Sequence, residues 1–131
     1  ALGPIRVTPW RMVLIEGLIQ APDIAAVITD PDDPRLRIFA CTGAPDCPQA
    51  LGPTRSVARL LAQHLPPKTE LHVSGCTKGC AHPNPLDLTL IAVGNDRFDL
   101  IRKGCASNTP QAYGLSPQDL IADTAFAKGK R

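Results

Sequence analysis

The stretch from Glu70 to Cys80 reads Glu-Leu-His-Val-Ser-Gly-Cys-Thr-Lys-Gly-Cys, and it joins a predicted strand to a pair of cysteines. The residues at its start, Glu70 to Val73, are predicted to form a short β-strand. The residues after it form a loop with cysteines at C-x3-C spacing, Cys76 and Cys80. Gly75 and Gly79 allow the backbone of that loop to approach a bound group closely. We therefore predict a strand that delivers two thiols into a loop.

The same step from strand to cysteine occurs earlier in the chain. A strand predicted from Arg35 to Ala40 leads to Cys41 and Cys47, which have C-x5-C spacing in a loop rich in Gly and Pro. The clearest helix follows from Pro53 to Leu65 and is stopped by two prolines. Its apolar face is assigned to residues at helical spacing, namely Val57, Leu60, Leu61 and Leu65.

The remaining elements alternate between strand and helix without a regular βαβ rhythm, so the predicted fold class is α+β. These elements are a strand over Ile5–Glu16, either continuous or broken at Pro9, a short helix over Ala21–Ile28, a hairpin of Leu86–Val93 with Arg97–Arg102, and a final helix that begins at Ser116.

Composition narrows the classes of function. The chain has 131 residues, the size of one ordinary domain, and 14 basic against 12 acidic side chains. This balance does not favour a nucleic-acid surface, and no apolar run has the ~18 residues of a membrane helix. The N-terminus lacks a signal-peptide pattern and a Met, so we expect a cytoplasmic piece of a longer chain. The basic run Lys128–Arg131 is interpreted as a solvated tail.

Cysteine usage points to a metal centre. In a reducing compartment, clustered cysteines bind metal more often than they form disulfides, and five is an odd number for a disulfide framework. Four thiolates in glycine-containing loops suit an iron–sulfur cluster, because backbone N–H groups can donate hydrogen bonds to the sulfurs. Zinc is the alternative metal, although C-x5-C is wider than its usual C-x2–4-C pairs. Cys105 lies outside both pairs and is interpreted as a free thiol rather than a ligand.

The two cysteine motifs resemble those of a known family. Cys41–Ala50 reads Cys-Thr-Gly-Ala-Pro-Asp-Cys-Pro-Gln-Ala, and His72–Pro83 contains Gly-Cys-Thr-Lys-Gly-Cys. Together they resemble the C-x5-C-P and G-C-x2-G-C motifs of the sirohaem-dependent sulfite and nitrite reductases. Val7–Arg11 resembles the strand motif that begins the second ferredoxin-like half-repeat of that family. The resemblance implies a 4Fe–4S cluster held by Cys41, Cys47, Cys76 and Cys80.

Within this group, the sequence Gly-Cys-Thr-Lys-Gly-Cys, with Thr-Pro-Trp-Arg upstream, most resembles precorrin-3B synthase. That branch implies an oxidoreductase of aerobic cobalamin biosynthesis, which hydroxylates the tetrapyrrole precorrin-3A with oxygen and forms a lactone. It also implies an electron donor, an N-terminal half that is not in this chain, and sirohaem or a mononuclear iron as further cofactor candidates. Residues 1–40 would be part of the ferredoxin-like half-repeat, and residues 41–131 the cluster-binding domain.

The resemblance leaves the catalytic residues unassigned, and four other side chains each have more than one interpretation. Arg11 could pair with a tetrapyrrole carboxylate or be an exposed strand charge. Lys78, between two predicted ligands, could offset cluster charge, reach a substrate carboxylate or simply be solvated. His72 and His82 could ligate iron, but hydrogen-bonded scaffold histidines are the preferred interpretation. A non-catalytic zinc or iron–sulfur module remains the alternative to an enzyme.

Overall fold

The computed structural model describes residues 3–122 of the chain. The chain divides into two compact units at the junction of Pro31 and Asp32. In the first unit, strand β1 (Ile5–Val7) pairs antiparallel with strand β2 (Val13–Ile15). The Thr8 amide donates a 3.0 Å hydrogen bond to the Met12 carbonyl across the turn between the two strands. The broken-strand form of the prediction is therefore the correct one.

The helix predicted over Ala21–Ile28 is wrong, because the structure has only turns there. Its backbone hydrogen bonds span two or three residues, from the Ile24 amide to Pro22 and from the Val27 amide to Ile24. Most of these residues are exposed, so no buried face stabilises the segment. A helix this short is marginal in water without tertiary packing.

The second unit is built on a five-stranded mixed sheet in the order β3-β4-β5-β6-β7. The pairs β3–β4 and β4–β5 are parallel, while β5–β6 and β6–β7 are antiparallel. The strands are β3 (Ile38–Ala40), β4 (Leu71–Ser74), β5 (Leu86–Gly94), β6 (Arg97–Gly104) and β7 (Ala112–Leu115), and the helices are α1 (Arg55–Ala62) and α2 (Pro117–Ala122).

Both helices contribute to a core on one face of this sheet. Because strand side chains alternate between faces, Leu71 and Val73 of β4 face this core, whereas His72 and Ser74 face the other way. Leu61 of α1 and Leu120 of α2 are fully buried in it. The predicted apolar face of α1 is correct except at Leu60, which is 45% exposed.

The strand predicted over Arg35–Ala40 is correct only in its second half. Pro34–Arg37 forms a single 3-10 turn, and β3 begins at Ile38. The Asp33 carboxylate accepts a hydrogen bond from the Arg35 amide at 2.9 Å, which caps this turn. Pro34 at the first position has a φ suited to a helical turn, so the local chemistry competes with an extended chain.

Two local predictions at the far end of the sheet are confirmed. Strands β5 and β6 form a hairpin through Asn95 and Asp96, which both have the positive φ of a type I′ turn. Ser116 caps α2: its hydroxyl accepts from the Asp119 amide, and the Asp119 carboxylate accepts from the Ser116 amide. Strand β7 was not predicted, because Gly114 in its middle weakens the sequence signal for a strand.

The structure confirms the α+β class. The predicted division after residue 40 rests on the family resemblance and stays a prediction, while β3 belongs to the sheet of the second unit. None of the helices within residues 3–122 is long and apolar enough to cross a membrane. The tail Lys128–Arg131 lies outside the described residues.

Candidate cluster-binding site

The four predicted cysteines come together at one edge of the sheet. Cys41 directly follows β3, and Cys76 lies two residues after β4. Since β3 and β4 are parallel neighbours, their carboxyl ends and the loops that follow them lie at the same edge. The two loops enclose a cavity of about 450 Å³, and Cys41, Cys47, Cys76 and Cys80 all line it.

The first loop is stabilised by its own backbone and by the start of α1. The Cys47 amide donates to the Gly43 carbonyl at 2.8 Å, and the Ala50 amide donates to the Cys47 carbonyl at 3.1 Å. Gly43 has a φ of +70°, and a Cβ there would lie 2.5 Å from Thr54 Oγ1. Gly43 is therefore required both by its backbone conformation and by the close approach of Thr54.

The second loop is attached to β4 and to the first loop. The Ser74 hydroxyl donates a 2.6 Å hydrogen bond to the Cys76 carbonyl. The Gly75 amide donates to the sulfur of Cys41 at 3.2 Å, and the Gly75 carbonyl accepts from the Leu51 amide at 2.8 Å. One residue thus links both loops, and it already supplies an N–H···S hydrogen bond of the kind that stabilises thiolate ligands.

All four cavity cysteines are free thiols. Cys41, Cys47 and Cys76 are half-buried, whereas Cys80 is exposed. Within residues 3–122, no three His, Cys, Asp or Glu side chains are grouped closely enough to hold a single metal ion. The structure therefore arranges the thiols around a cavity, and their role as ligands stays a prediction.

Cys105 does not line the cavity. Its sulfur lies 3.3 Å from Ser107 Oγ, and its amide donates to the Asn108 side chain at 2.8 Å. The hydrogen bond from Ser107 is the main reason why the pKa of this thiol is lowered. Its position outside the cavity agrees with the interpretation that it is not one of the four ligands.

His72 lies beneath the second loop, on the sheet face opposite the main core. Its side chain is fully buried, and neither ring nitrogen has a hydrogen-bond partner among the described residues. Burial first, and the nearby His82 second, lower the pKa of His72 to about 4. The ring centroids of His72 and His82 are 6.3 Å apart, and that of His82 is 4.6 Å from Phe39.

Neither histidine lines the cysteine cavity. His82 Nδ1 is 2.9 Å from the Asn84 carbonyl, so His82 has the hydrogen-bonded scaffold role that the sequence favoured. The preferred interpretation is wrong for His72, because its ring makes no hydrogen bond within the described residues. The sequence gives no signal for this, because His72 faces away from the main core. The burial of a strand residue on that second face depends on which residues pack over the face.

Among the described residues, two charged side chains line the cavity in addition to the thiols. Lys78 was singled out from the sequence, and Asp46, which directly precedes Cys47, was not. Both are exposed at the mouth of the cavity. Arg11, the other predicted carboxylate partner, lies in the turn between β1 and β2 with a φ of +58°.

The fold and the site define a class: an α+β domain whose loops bring four free cysteines to one cavity at the edge of a mixed sheet. No protein-family model matches the chain. The chain is 33% identical over 129 residues to a protein of Sinorhizobium sp. named precorrin-3B synthase. This alignment covers 86% of the present chain but 28% of that relative, so the chain spans little more than a quarter of the relative's length.

Proposed function

We propose that this chain is the cluster-binding part of a tetrapyrrole oxidoreductase of the precorrin-3B synthase type. The observation that carries the proposal is the convergence of four free cysteines, from two loops, on one cavity of about 450 Å³. The similarity to the Sinorhizobium protein supports the choice of enzyme family. The proposal includes a domain fold like that of the sirohaem-dependent reductases and a cytoplasmic location.

The residues at the cavity fit a 4Fe–4S cluster. Four thiols that are free and not paired as disulfides supply the usual ligand set. A Cβ on Gly75 would lie 2.7 Å from the Cβ of Ala50, so only glycine lets the loops approach this closely. The Gly75 amide donates a hydrogen bond to the Cys41 sulfur, and such N–H···S contacts surround the sulfurs of bound clusters.

A bound cluster would supply one-electron chemistry, and the residues of this chain would hold it and control access to it. Cys41, Cys47 and Cys76 are half-buried residues, while Cys80 is exposed and would leave one side of the cluster accessible. Among the described residues, Lys78 is the one cationic side chain that lines this cavity. A tetrapyrrole with several carboxylates needs more cations than this one.

For the whole protein we propose the oxygen-dependent hydroxylation of precorrin-3A with lactone formation. This reaction would need an electron donor and the further part of the enzyme, which would supply the remaining tetrapyrrole contacts. Whether sirohaem or a mononuclear iron accompanies the cluster is part of the test. The competing assignments, a sirohaem reductase and a zinc module, predict different metal contents and spectra.

The experiment is anaerobic purification of the chain with assays of iron, acid-labile sulfide and zinc, together with a visible spectrum. The proposal expects about four irons and four sulfides per chain and a broad brown absorption. Replacement of Cys41, Cys47, Cys76 or Cys80 by Ala should abolish that content, and Cys105→Ala should retain it. Stoichiometric zinc without sulfide, or loss of iron in Cys105→Ala with retention in Cys80→Ala, would contradict the proposed site.

A further inference from the structure

Asp46 and Lys78 place opposite charges at the mouth of the cysteine cavity. Asp46 belongs to the first cysteine loop and Lys78 to the second, and both side chains line the cavity. Both are exposed, and neither forms an ion pair with another described residue. No described neighbour therefore neutralises either charge, and both can affect the electrostatic potential in the cavity.

The positions of these residues in the chain keep them close to the thiols. Lys78 is two residues from Cys76 and two from Cys80, in a loop whose Gly79 has a φ of +66° and packs against Ala106. Asp46 immediately precedes Cys47, whose amide is hydrogen-bonded to the Gly43 carbonyl. Both loops are thus held in place on either side of the charged residues.

Reduction of a bound cluster by one electron adds one negative charge to the cavity. A nearby cation stabilises the reduced form more than the oxidised form, and a nearby anion does the opposite. We propose that Lys78 raises and Asp46 lowers the reduction potential of the cluster, so that this pair sets the potential by partial compensation. This inference rests on the proposed function, since it requires a bound cluster.

Solvent exposure gives the pair a second measurable property. Mobile ions screen exposed charges over about 10 Å at 0.1 M salt and about 3 Å at 1 M. The effects of Lys78 and Asp46 should therefore shrink as the salt concentration rises. A change of potential caused by misplacement of a cysteine loop would not follow the ionic strength in this way.

The test is an EPR-monitored redox titration of the cluster-loaded chain with dithionite and ferricyanide at constant pH. Lys78→Gln should shift the midpoint potential to a more negative value, Asp46→Asn should shift it to a more positive value, and the double variant should lie near the wild type. Lys78→Arg, which keeps the charge, should titrate close to the wild type. Arg59→Gln is the matched control, because Arg59 is exposed and lines a different cavity, with Asp33 and Arg35.

Iron and sulfide are measured for each variant before titration, and this separates the two proposals. Absence of a cluster from the wild-type chain would overturn the proposed function and the charge pair with it. A loaded wild type whose potential is unchanged by both single substitutions, or shifts in the same direction in both, would overturn the charge pair alone. If Lys78→Gln loses iron, Lys78→Met and Asp46→Asn provide the same comparison.

Discussion

The hydroxyl of Thr54 donates a 2.6 Å hydrogen bond to the backbone carbonyl of Cys41. Thr54 is only 1% exposed and immediately precedes α1, so this contact ties the first cysteine loop to the start of the helix. The hydroxyl is used for the loop and makes no capping hydrogen bond to the helix itself.

Thr54→Val should loosen the first cysteine loop. The substitution keeps the shape of the side chain but leaves the Cys41 carbonyl without its donor, at a cost of about 1–2 kcal/mol. Hydrogen exchange of the amides in residues 42–52 should become faster, and urea unfolding should show the loss of stability. Thr54→Ser keeps the hydroxyl and serves as the control. Equal exchange in the Val and Ser variants would show that the hydrogen bond is unimportant.

Gly75→Ala should separate the two cysteine loops. The new Cβ would lie 2.7 Å from the Cβ of Ala50 and 3.4 Å from the Cα of Gly43. Overpacking of this kind costs about 1–3 kcal/mol, and it would also disturb the Gly75 amide that donates to Cys41. Unfolding free energy and iron content should both fall.

The double variant Ala50→Gly with Gly75→Ala tests the cause of that loss. Removal of the Ala50 methyl eliminates the clash, so part of the stability and iron content should return, beyond the sum of the two single effects. If Ala50→Gly gives no rescue, contact between these two positions is not what limits the Gly75→Ala variant.

His72 should make the fold less stable in mild acid. Its pKa is lowered to about 4 in the folded chain, against about 6.5 when unfolded. Above pH 7 the ring is neutral in both states and has no effect on the pH dependence. As the pH falls from 6.5 to 4, the unfolded chain gains a proton that the folded chain does not, so stability falls, by about 2 kcal/mol at pH 5.

His72→Leu should remove this part of the acid sensitivity. Urea unfolding at pH 7.5 and pH 5 should show a smaller difference in the variant than in the wild type, and His64→Gln, at an exposed position, is the control. Because the substitution eliminates two buried nitrogens that have no hydrogen-bond partner among the described residues, stability at pH 7.5 should be unchanged or higher. An identical loss of stability at pH 5 in wild type and variant would contradict the assignment to His72.

The proposed function predicts that the isolated chain does not convert precorrin-3A, whereas a longer protein that spans the full length of the relative does so. The chain corresponds to 28% of its relative, and among residues 3–122 Lys78 is the one cation that lines the cysteine cavity. Turnover is measured with oxygen and a reductant, and the product is identified by mass spectrometry. Robust turnover by this chain alone would contradict the prediction. Reduction of sulfite or nitrite by the longer protein, without turnover of precorrin-3A, would favour the sirohaem reductases.

Turns and helix caps could be predicted from the sequence because they depend on residues that are close together in the chain. The turn at Asn95 and the cap formed by Ser116 and Asp119 each involve contacts within a few residues, and both were predicted correctly. The predictions were wrong where tertiary contacts decide whether a segment forms a helix or a strand. The segment Ala21–Ile28 has no buried face to stabilise a helix, and β7 forms because β6 offers it an edge.

The amino-acid sequence by itself determined the α+β class and placed two spaced cysteine pairs in loops, because strands, turns and glycine-containing loops depend on local chemistry. Only the tertiary structure decided that those loops share one cavity. Parallel pairing of β3 with β4 brings Gly75 within hydrogen-bonding distance of Cys41, which is 34 residues away in the chain. The burial of His72, whose ring nitrogens have no hydrogen-bond partner within residues 3–122, was decided in the same way, because it depends on which residues pack over β4.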